Sequence, residues 1–203
     1  MQKKGFLIVI DGTDGSGKKT QTQLLKDHLI DMNYPVEVLD FPQYGKKSAG
    51  PAEEYLQGKY GDAGEVTPYQ ASILYAVDRF DGSFEIRKWL KEGKVVLLDR
   101  YVSANMGHQA GKIADLEARD EFLSWLDHLE YEILGIPRPD LQLFLSTDPE
   151  KSRMRALASS RPGMDKSKDV HEIDGTHMQQ ASEAFHDVAK KYAWTQIDCE
   201  GVE

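Results

Sequence analysis

The stretch that most constrains the fold is residues 6–25, which read FLIVIDGTDGSGKKTQTQLL. Its first five residues are an apolar run typical of strands buried on both faces. Three glycines and Lys18 follow, and then come residues at helical spacing, with Leu24, Leu25 and Leu29 on one side. The order strand, glycine-rich turn, helix predicts a phosphate-binding loop, because backbone N–H groups, a helix N-terminus and a lysine would face one anion.

The loop matches the pattern G-x-x-x-x-G-K-[ST] at every position except the last. Lys19 stands where a hydroxyl would bind Mg²⁺, and Thr20 comes one residue late. The alternative is a glycine-rich turn that binds nothing. We expect the ATP phosphates to be held by Gly12, Gly15, Ser16, Gly17, Lys18, Lys19 and Thr20.

Composition limits the classes of protein that remain. The chain has 203 residues with 40% hydrophobic content, which favours one compact domain over residues 1–203. The net charge of −9 argues against a nucleic-acid polymer as partner. The only cysteine, Cys199, excludes an internal disulfide and suits a cytoplasmic location. The apolar run near the start is too short for a membrane span.

Strands alternate with helices along the rest of the chain. Further strand-like apolar runs lie at residues 36–39, 95–98, 141–145 and 194–197. The alternation predicts an α/β fold in which a five-stranded parallel sheet carries helices on both faces, as in P-loop NTP hydrolases. We expect a helix over residues 69–91 that bends or is interrupted at Gly82, and an uninterrupted amphipathic helix over residues 116–134.

Candidate chemistry follows three of the five strands, at the edge where such sheets bind ligands. The first case is the glycine-rich loop, and the second is residues 41–44. The third is Asp99 with Arg100. Asp99 is a candidate Mg²⁺ ligand or alternatively a capping residue, and Arg100 is a candidate phosphate ligand or alternatively half of a surface ion pair.

Two other groups of residues leave the choice between function and structure open. Tyr75 and Arg79 share a helix face and suit a nucleobase, although a core aromatic beside a snorkelling arginine explains the spacing as well. The densest basic region predicts a mobile lid over ATP at about residues 153–170, the alternative being a solvated charge run. It contains Arg153, Arg155, Arg161, Lys166 and Lys168.

Taken together, the chain resembles the thymidylate kinase family over nearly its whole length. The resemblance is carried by residues 11–18 (DGTDGSGK), 41–42 (FP), 74–79 (LYAVDR), 99–105 (DRYVSAN) and 108–109 (HQ). It implies transfer of the ATP γ-phosphoryl group to dTMP with Mg²⁺, the metal being held at Asp99. It also implies a homodimer.

The resemblance further implies how the acceptor is bound. Tyr75 would stack on thymine and Arg79 would read the base edge, while Asn105 and Gln109 would line the base pocket. Phe41 is also expected to bind the acceptor.

The remaining implied roles concern the sugar, the phosphates and the lid. Asp14 would contact the deoxyribose 3′-hydroxyl, His108 would lie near the sugar, and Arg100 would grip the monophosphate. Because Gly15 stands where some members carry a loop arginine, the catalytic arginine would come from the lid, as Arg155 or Arg161, and act together with Lys18 and Arg100.

Two departures from the family pattern keep alternatives open. Lys19 replaces the usual hydroxyl residue, and Gln43 and Tyr44 follow Phe41-Pro42 where many members have an arginine. The alternatives are a related kinase that takes dUMP or thymidine, and an ATP-binding protein with little catalytic ability.

Overall fold

The computed structural model describes residues 4–61, 65–158 and 175–199. Strands and helices alternate within this part of the chain, as the sequence predicts. The elements are β1 (Phe6–Gly12), α1 (Lys18–Asp31), β2 (Val36–Asp40), α2 (Gly50–Leu56), α3 (Pro68–Lys91), β3 (Val95–Asp99), α4 (Val102–Ala110), α5 (Leu116–Asp127), a π-helical segment (His128–Ile133), β4 (Leu141–Ser146), α6 (Pro149–Ala158), α7 (Gly175–Lys191) and β5 (Thr195–Asp198).

The five strands form one parallel sheet in the order β2-β3-β1-β4-β5. The predicted fold class is therefore confirmed. The register places Asp99 beside both Ile10 and Asp40. The carboxyl ends of the three strands on this side thus meet at one level, and the loops that follow them share one edge of the sheet.

Helices cover both faces of the sheet, because alternate residues of the central strands point to opposite sides. Leu7 and Val9 pack with residues of α3, α4, α5 and α7 in the larger core. Ile8 and Ile10 pack on the other face, against Leu25 of α1 among others. No helix in the described ranges is long and apolar enough to cross a membrane.

Helix α3 begins where its sequence predicts but is not interrupted at Gly82. The Thr67 side chain accepts from the Gln70 backbone N–H, and the Gln70 side chain accepts from the Thr67 backbone N–H, which forms a capping box with Pro68 at the first helical position. The helix then runs unbroken through Gly82. A side chain at Gly82 would lie 2.7 Å from the Phe41 ring, so this glycine leaves room for a neighbour.

The prediction of one regular helix over residues 116–134 is wrong in its second half. Helix α5 ends at Asp127, and six residues in π-helical conformation continue it. The wider turn carries Glu130, which is completely buried and paired with a buried arginine of α3. The π-helical segment therefore brings a charged residue into the core. Single π-helical turns inside helices are frequent at functional sites.

Candidate active site

The glycine-rich loop between β1 and α1 has the backbone that a phosphate cradle needs. Gly12 and Gly17 have φ values of 155° and 90°, in the region that favours glycine. A side chain at Gly12 would also lie 2.6 Å from the Leu145 carbonyl oxygen. Gly17 is the N-cap residue of α1 and lacks any side-chain capping bond, so the first N–H groups of that helix face the loop.

Lys18 is buried at the centre of this loop. Its ammonium donates to the carbonyl oxygens of Gly12, at 2.9 Å, and Thr13, at 2.7 Å. Burial, reinforced by the charge of Arg100, lowers the pKa of Lys18 to about 8, although nearby carboxylates oppose the shift. The lysine is thus a desolvated cation held inside the loop, where an anion would stabilise its charged form.

Arg100 joins the loop to the end of β3. Its guanidinium forms an ion pair with Asp14 of the glycine-rich loop. Burial disfavours the charge, but the carboxylates of Asp14 and Asp99 outweigh it and raise the pKa of Arg100. Its backbone has a φ of 67°, a conformation that a non-glycine residue adopts only when its surroundings impose it.

Two carboxylates lie side by side at the same edge. Asp99 ends β3 and Asp40 ends β2, and the two are register partners. The Asp99 Oδ1 atom is buried and accepts no hydrogen bond from the residues that the structure describes. Burial and the charge of Asp99 raise the pKa of Asp40, while Lys19 and Arg100 oppose the shift. Asp40 was not predicted as a site residue from the sequence, although it ends its strand just as Asp99 does.

Lys19 and Thr20 lie in the first turn of α1 with exposed side chains, unlike buried Lys18. The positive charge of Lys19 acts on Asp40. Two buried hydroxyls nearby, those of Ser16 and Thr22, make no hydrogen bond within the described part of the chain. Lys19 thus occupies the Ser/Thr position of the motif without entering the core of the loop.

A pocket opens beside the glycine-rich loop, and all eight predicted acceptor-binding residues line it. These are Asp14, Phe41, Tyr75, Arg79, Arg100, Asn105, His108 and Gln109. Six further residues line the pocket. Pro42 and Tyr44 belong to the candidate segment 41–44, whereas Leu56, Asp78, Tyr101 and Ala104 were not predicted from the sequence. Asp14 and Arg100 belong both to this pocket and to the loop region, so the two sites adjoin.

The pocket combines aromatic walls with buried polar groups. Tyr75 makes an edge contact with Tyr55, at 6.1 Å between ring centroids, and His108 makes one with Phe185, at 5.3 Å. Gln109 is buried, and its Oε1 atom has no hydrogen-bond partner among the described residues. Flat rings and a few fixed polar groups suit a nucleobase.

Arg79 is neither a snorkelling arginine nor an isolated pocket residue. It is 2% exposed, and its Nε atom donates to both oxygens of Glu130, at 3.0 and 2.8 Å. Its Nη2 atom donates to Oε1 of the same carboxylate. Burial disfavours the charged guanidinium, but Glu130 outweighs it and raises the pKa of Arg79. Glu130 was not among the residues predicted from the sequence.

The loop after β2 is held by Asp78, which is also buried. The Asp78 carboxylate accepts from the Gln43 backbone N–H at 2.7 Å, from the Gln43 side chain at 3.0 Å and from the Ser48 hydroxyl at 2.7 Å. Lys46 donates to the Gln43 side-chain oxygen. Gln43 thus fastens the loop that carries Phe41 and Tyr44.

The predicted lid lies mostly outside the described residues. Arg153 and Arg155 belong to α6 and are exposed. Arg161, Lys166 and Lys168 lie outside the described residues. Helix α6 reaches the glycine-rich loop through Ser152, whose hydroxyl is 3.4 Å from that of Thr13.

A phosphate loop and an adjoining pocket for a flat polar molecule, joined by an arginine, define a P-loop kinase of small nucleotides. Comparison with known proteins narrows this class. A family model described as thymidylate kinase matches residues 10–200. The chain belongs to the thymidylate kinase family.

Individual relatives agree with this assignment. The chain is 32% identical over 187 residues to a thymidylate kinase of Mycobacterium tuberculosis, covering 91% of this chain and 86% of that protein. It is 26% identical over 200 residues to the human thymidylate kinase, covering 97% and 83%. A solved structure of the thymidylate kinase from Candida albicans shares the fold, with a TM-score of 0.74, 23% identity and coverage of 98% and 86%.

Proposed function

We propose that this chain transfers the γ-phosphoryl group of ATP to dTMP and forms dTDP and ADP, as one kinase domain over residues 1–203. The observation that carries the proposal is the junction of the two sites. Asp14 belongs to the glycine-rich loop and also lines the pocket, where it pairs with Arg100. A monophosphate held at Arg100 would therefore lie next to phosphates held by the loop.

The loop is assigned to ATP. Its backbone N–H groups and the buried Lys18 ammonium would hold the phosphates. The residues proposed to bind ATP are Gly12, Gly15, Ser16, Gly17, Lys18, Lys19 and Thr20. Because the side chains of Lys19 and Thr20 are exposed, their part is assigned to the backbone at the start of α1.

The pocket is assigned to dTMP. Tyr75 would stack on the base, Arg79 and Asn105 would contact its polar edge, and Gln109 would contribute its buried amide oxygen. The burial and shared lining of these groups support the assignment. Phe41 completes the apolar wall.

The sugar and the acceptor phosphate would lie toward the loop. Asp14 would accept a hydrogen bond from the 3′-hydroxyl, His108 would lie near the sugar, and Arg100 would bind the monophosphate. The paired contact of Asp14 with Arg100 supports these neighbouring roles.

Little further chemistry is required of the protein. The accepting phosphate is already an anion, so no strong base is needed, and catalysis rests on positioning and on neutralising charge. Lys18 and Arg100 are the cations present at the reacting end. An arginine of the predicted lid, Arg155 or Arg161, is proposed to complete the set.

Asp99 is the residue proposed to hold Mg²⁺. Its buried Oδ1 atom accepts no hydrogen bond from the described residues and fits a hard cation, and Mg²⁺ usually takes one or two carboxylates together with substrate phosphates and water. No group of three or more His, Cys, Asp or Glu side chains that could hold a metal ion forms in the described ranges. When bound, the metal would neutralise charge on the ATP phosphates.

The assembly is proposed to be a homodimer formed through α3. Five large apolar side chains of this helix are exposed by 39–60% and follow one another at spacings of three or four residues, so they form one stripe. They are Tyr69, Ile73, Val77, Phe80 and Phe84. A second copy of the chain is the occupant that we assign to this stripe. A cytoplasmic location is proposed because the single cysteine, Cys199, suits a reducing compartment.

The proposal is tested by ADP release in a coupled assay with ATP and Mg²⁺. The acceptors are dTMP, dUMP, thymidine and none. We expect release that depends on dTMP and exceeds that with the other acceptors. Preference for dUMP or thymidine would retain the kinase class and refute the assigned acceptor. Tight ATP binding without transfer to any acceptor would refute the proposal that the chain is an enzyme.

A further inference from the structure

The Glu130 carboxylate accepts hydrogen bonds from two residues that line the acceptor pocket, Arg79 and Asn105. It is fully buried and belongs to the π-helical segment His128–Ile133. Its two oxygens accept from Arg79, and its Oε1 atom also accepts from the Asn105 amide nitrogen at 3.4 Å. Glu130 does not itself line the pocket, whereas Arg79 and Asn105 do.

The contacts of Asn105 fix which end of its amide is the nitrogen. That nitrogen donates to the Ser72 carbonyl oxygen at 3.3 Å and to Glu130. Both of these partners can only accept, so the amide oxygen must take the other position. There it accepts from the Ser72 hydroxyl at 3.3 Å. Both N–H groups of the amide are thus engaged, and the remaining capacity of Asn105 is an acceptor.

The contacts of Arg79 determine what its guanidinium can offer. Glu130 engages the Nε and Nη2 atoms, which leaves Nη1 as the nitrogen not bound to Glu130. A guanidinium has donors and no acceptor. Glu130 therefore orients a donor, on Arg79, and an acceptor, on Asn105, in two residues that line the same pocket.

This pattern distinguishes the pyrimidines. The imide edge of thymine or uracil presents a carbonyl oxygen, which accepts, beside an N3–H group, which donates. Cytosine presents an amino group and an unprotonated N3 at the same two positions, which is the reverse order. Binding of cytosine would therefore place a donor opposite a donor and an acceptor opposite an acceptor. Sites with buried polar groups left unpaired in this way reject the wrong ligand strongly.

We propose that Glu130 is a positioning residue that sets the selectivity of the pocket for an imide pyrimidine over cytosine. The inference rests on the proposed function, because it takes the pocket to be the nucleotide acceptor site. It assigns the selectivity to a residue that would not touch the base.

The test compares E130Q with the wild type by calorimetric binding of dTMP and of dCMP. The substitution places an amide where a group that only accepts had stood, so the Asn105 amide loses one of its two acceptor-only partners, and Arg79 loses the carboxylate that holds its Nε and Nη2 atoms. We expect the preference for dTMP over dCMP to fall by about tenfold or more, the scale of one hydrogen bond to a charged group. The matched control is E132Q, in the same segment but exposed and paired at the surface with Arg138. It should leave the preference unchanged.

Folding of each variant is checked by its thermal transition, because E130Q leaves the Arg79 charge buried without its counter-charge. If E130Q does not fold, E130D decides, since it keeps an acceptor-only group but withdraws it by one methylene. A smaller preference of E130D for dTMP over dCMP would support the proposal, and an unchanged preference would overturn it. A folded E130Q with the wild-type preference would also overturn it.

The binding experiment separates this inference from the proposed function. A wild type that prefers dTMP over dCMP in binding but does not phosphorylate dTMP refutes the function and leaves the role of Glu130 open to the same test. A wild type that phosphorylates dTMP, with an E130Q variant of unchanged preference, refutes only the role of Glu130.

Discussion

Replacing Gly82 with alanine tests whether α3 shapes the acceptor pocket by leaving out a side chain. The added Cβ would lie 2.7 and 2.9 Å from two atoms of the Phe41 ring and 3.1 Å from the Gln43 side-chain nitrogen. Ordinary contacts of a Cβ atom begin at about 3.4 Å. The Phe41 ring is 3% exposed and packs against Tyr101, with ring centroids 5.8 Å apart, so it has little room to move.

The expected cost follows from two opposed effects. Alanine stabilises a helix interior by about 1 kcal/mol relative to glycine. Overpacking of a filled core costs about 1–3 kcal/mol. We therefore expect G82A to unfold with a free energy about 0–2 kcal/mol lower than the wild type. A displaced Phe41 should also raise the KM for dTMP by about tenfold, because small misplacements of positioning groups are costly.

The assay is urea unfolding together with steady-state kinetics, and G50A is the matched control. Gly50 is the first residue of α2, whereas Gly82 lies inside α3, and an added Cβ at Gly50 meets nothing within 4 Å apart from its chain neighbours. We expect G50A to keep the wild-type KM and to lose no stability. If G82A matches G50A in both measurements, the idea that Phe41 fills the space beside Gly82 is wrong.

Three further predictions concern the ATP loop, the metal and the dimer. Because the pKa of Lys18 is lowered to about 8 and ATP favours its charged form, ATP binding should take up a proton near pH 8 and weaken as the pH rises from 7 to 9. Calorimetry in two buffers of different ionisation enthalpy measures the uptake, and equal heats would contradict it. D99N should raise the Mg²⁺ concentration needed for half-maximal ADP release by about tenfold or more. An unchanged Mg²⁺ titration would refute the proposal that Asp99 is a ligand of the metal. F84K should shift the protein to monomer in light scattering, whereas L24K, on the exposed side of α1, should not.

The parts of this molecule that sequence could predict depend on local patterns. The short apolar runs predict the strands because a strand buried on both faces needs no polar residue. Thr67 and Pro68 predict the start of α3 because capping uses neighbouring residues only. The edge of the sheet at which ligands bind follows from parallel strands, so Asp14, Asp99 and Arg100 could be grouped before any coordinates.

The parts that could not be predicted depend on partners far apart in the chain. Arg79 and Glu130 are 51 residues apart, and no periodicity indicates that they form an ion pair. One signal was available, since Glu130 follows Leu126 at the spacing at which Leu126 follows Phe122, and this places a carboxylate on the buried face. The role of Gly82 was equally hidden in the sequence, because the space that this glycine leaves is filled by the ring of Phe41, a residue 41 positions earlier in the chain.

The sequence and the structure suggest different consequences of having a lysine at position 19. The sequence shows a lost hydroxyl, whereas the structure shows an exposed ammonium whose charge opposes the raised pKa of Asp40. K19S therefore restores a possible metal ligand but removes a positive charge beside Asp40 and Asp99. If Asp99 suffices for the metal, wild type and K19S should both release ADP in the presence of dTMP, with rates within about tenfold, because a surface charge contributes little. A silent wild type beside an active K19S would show that the missing hydroxyl is the defect and that Asp99 cannot replace it.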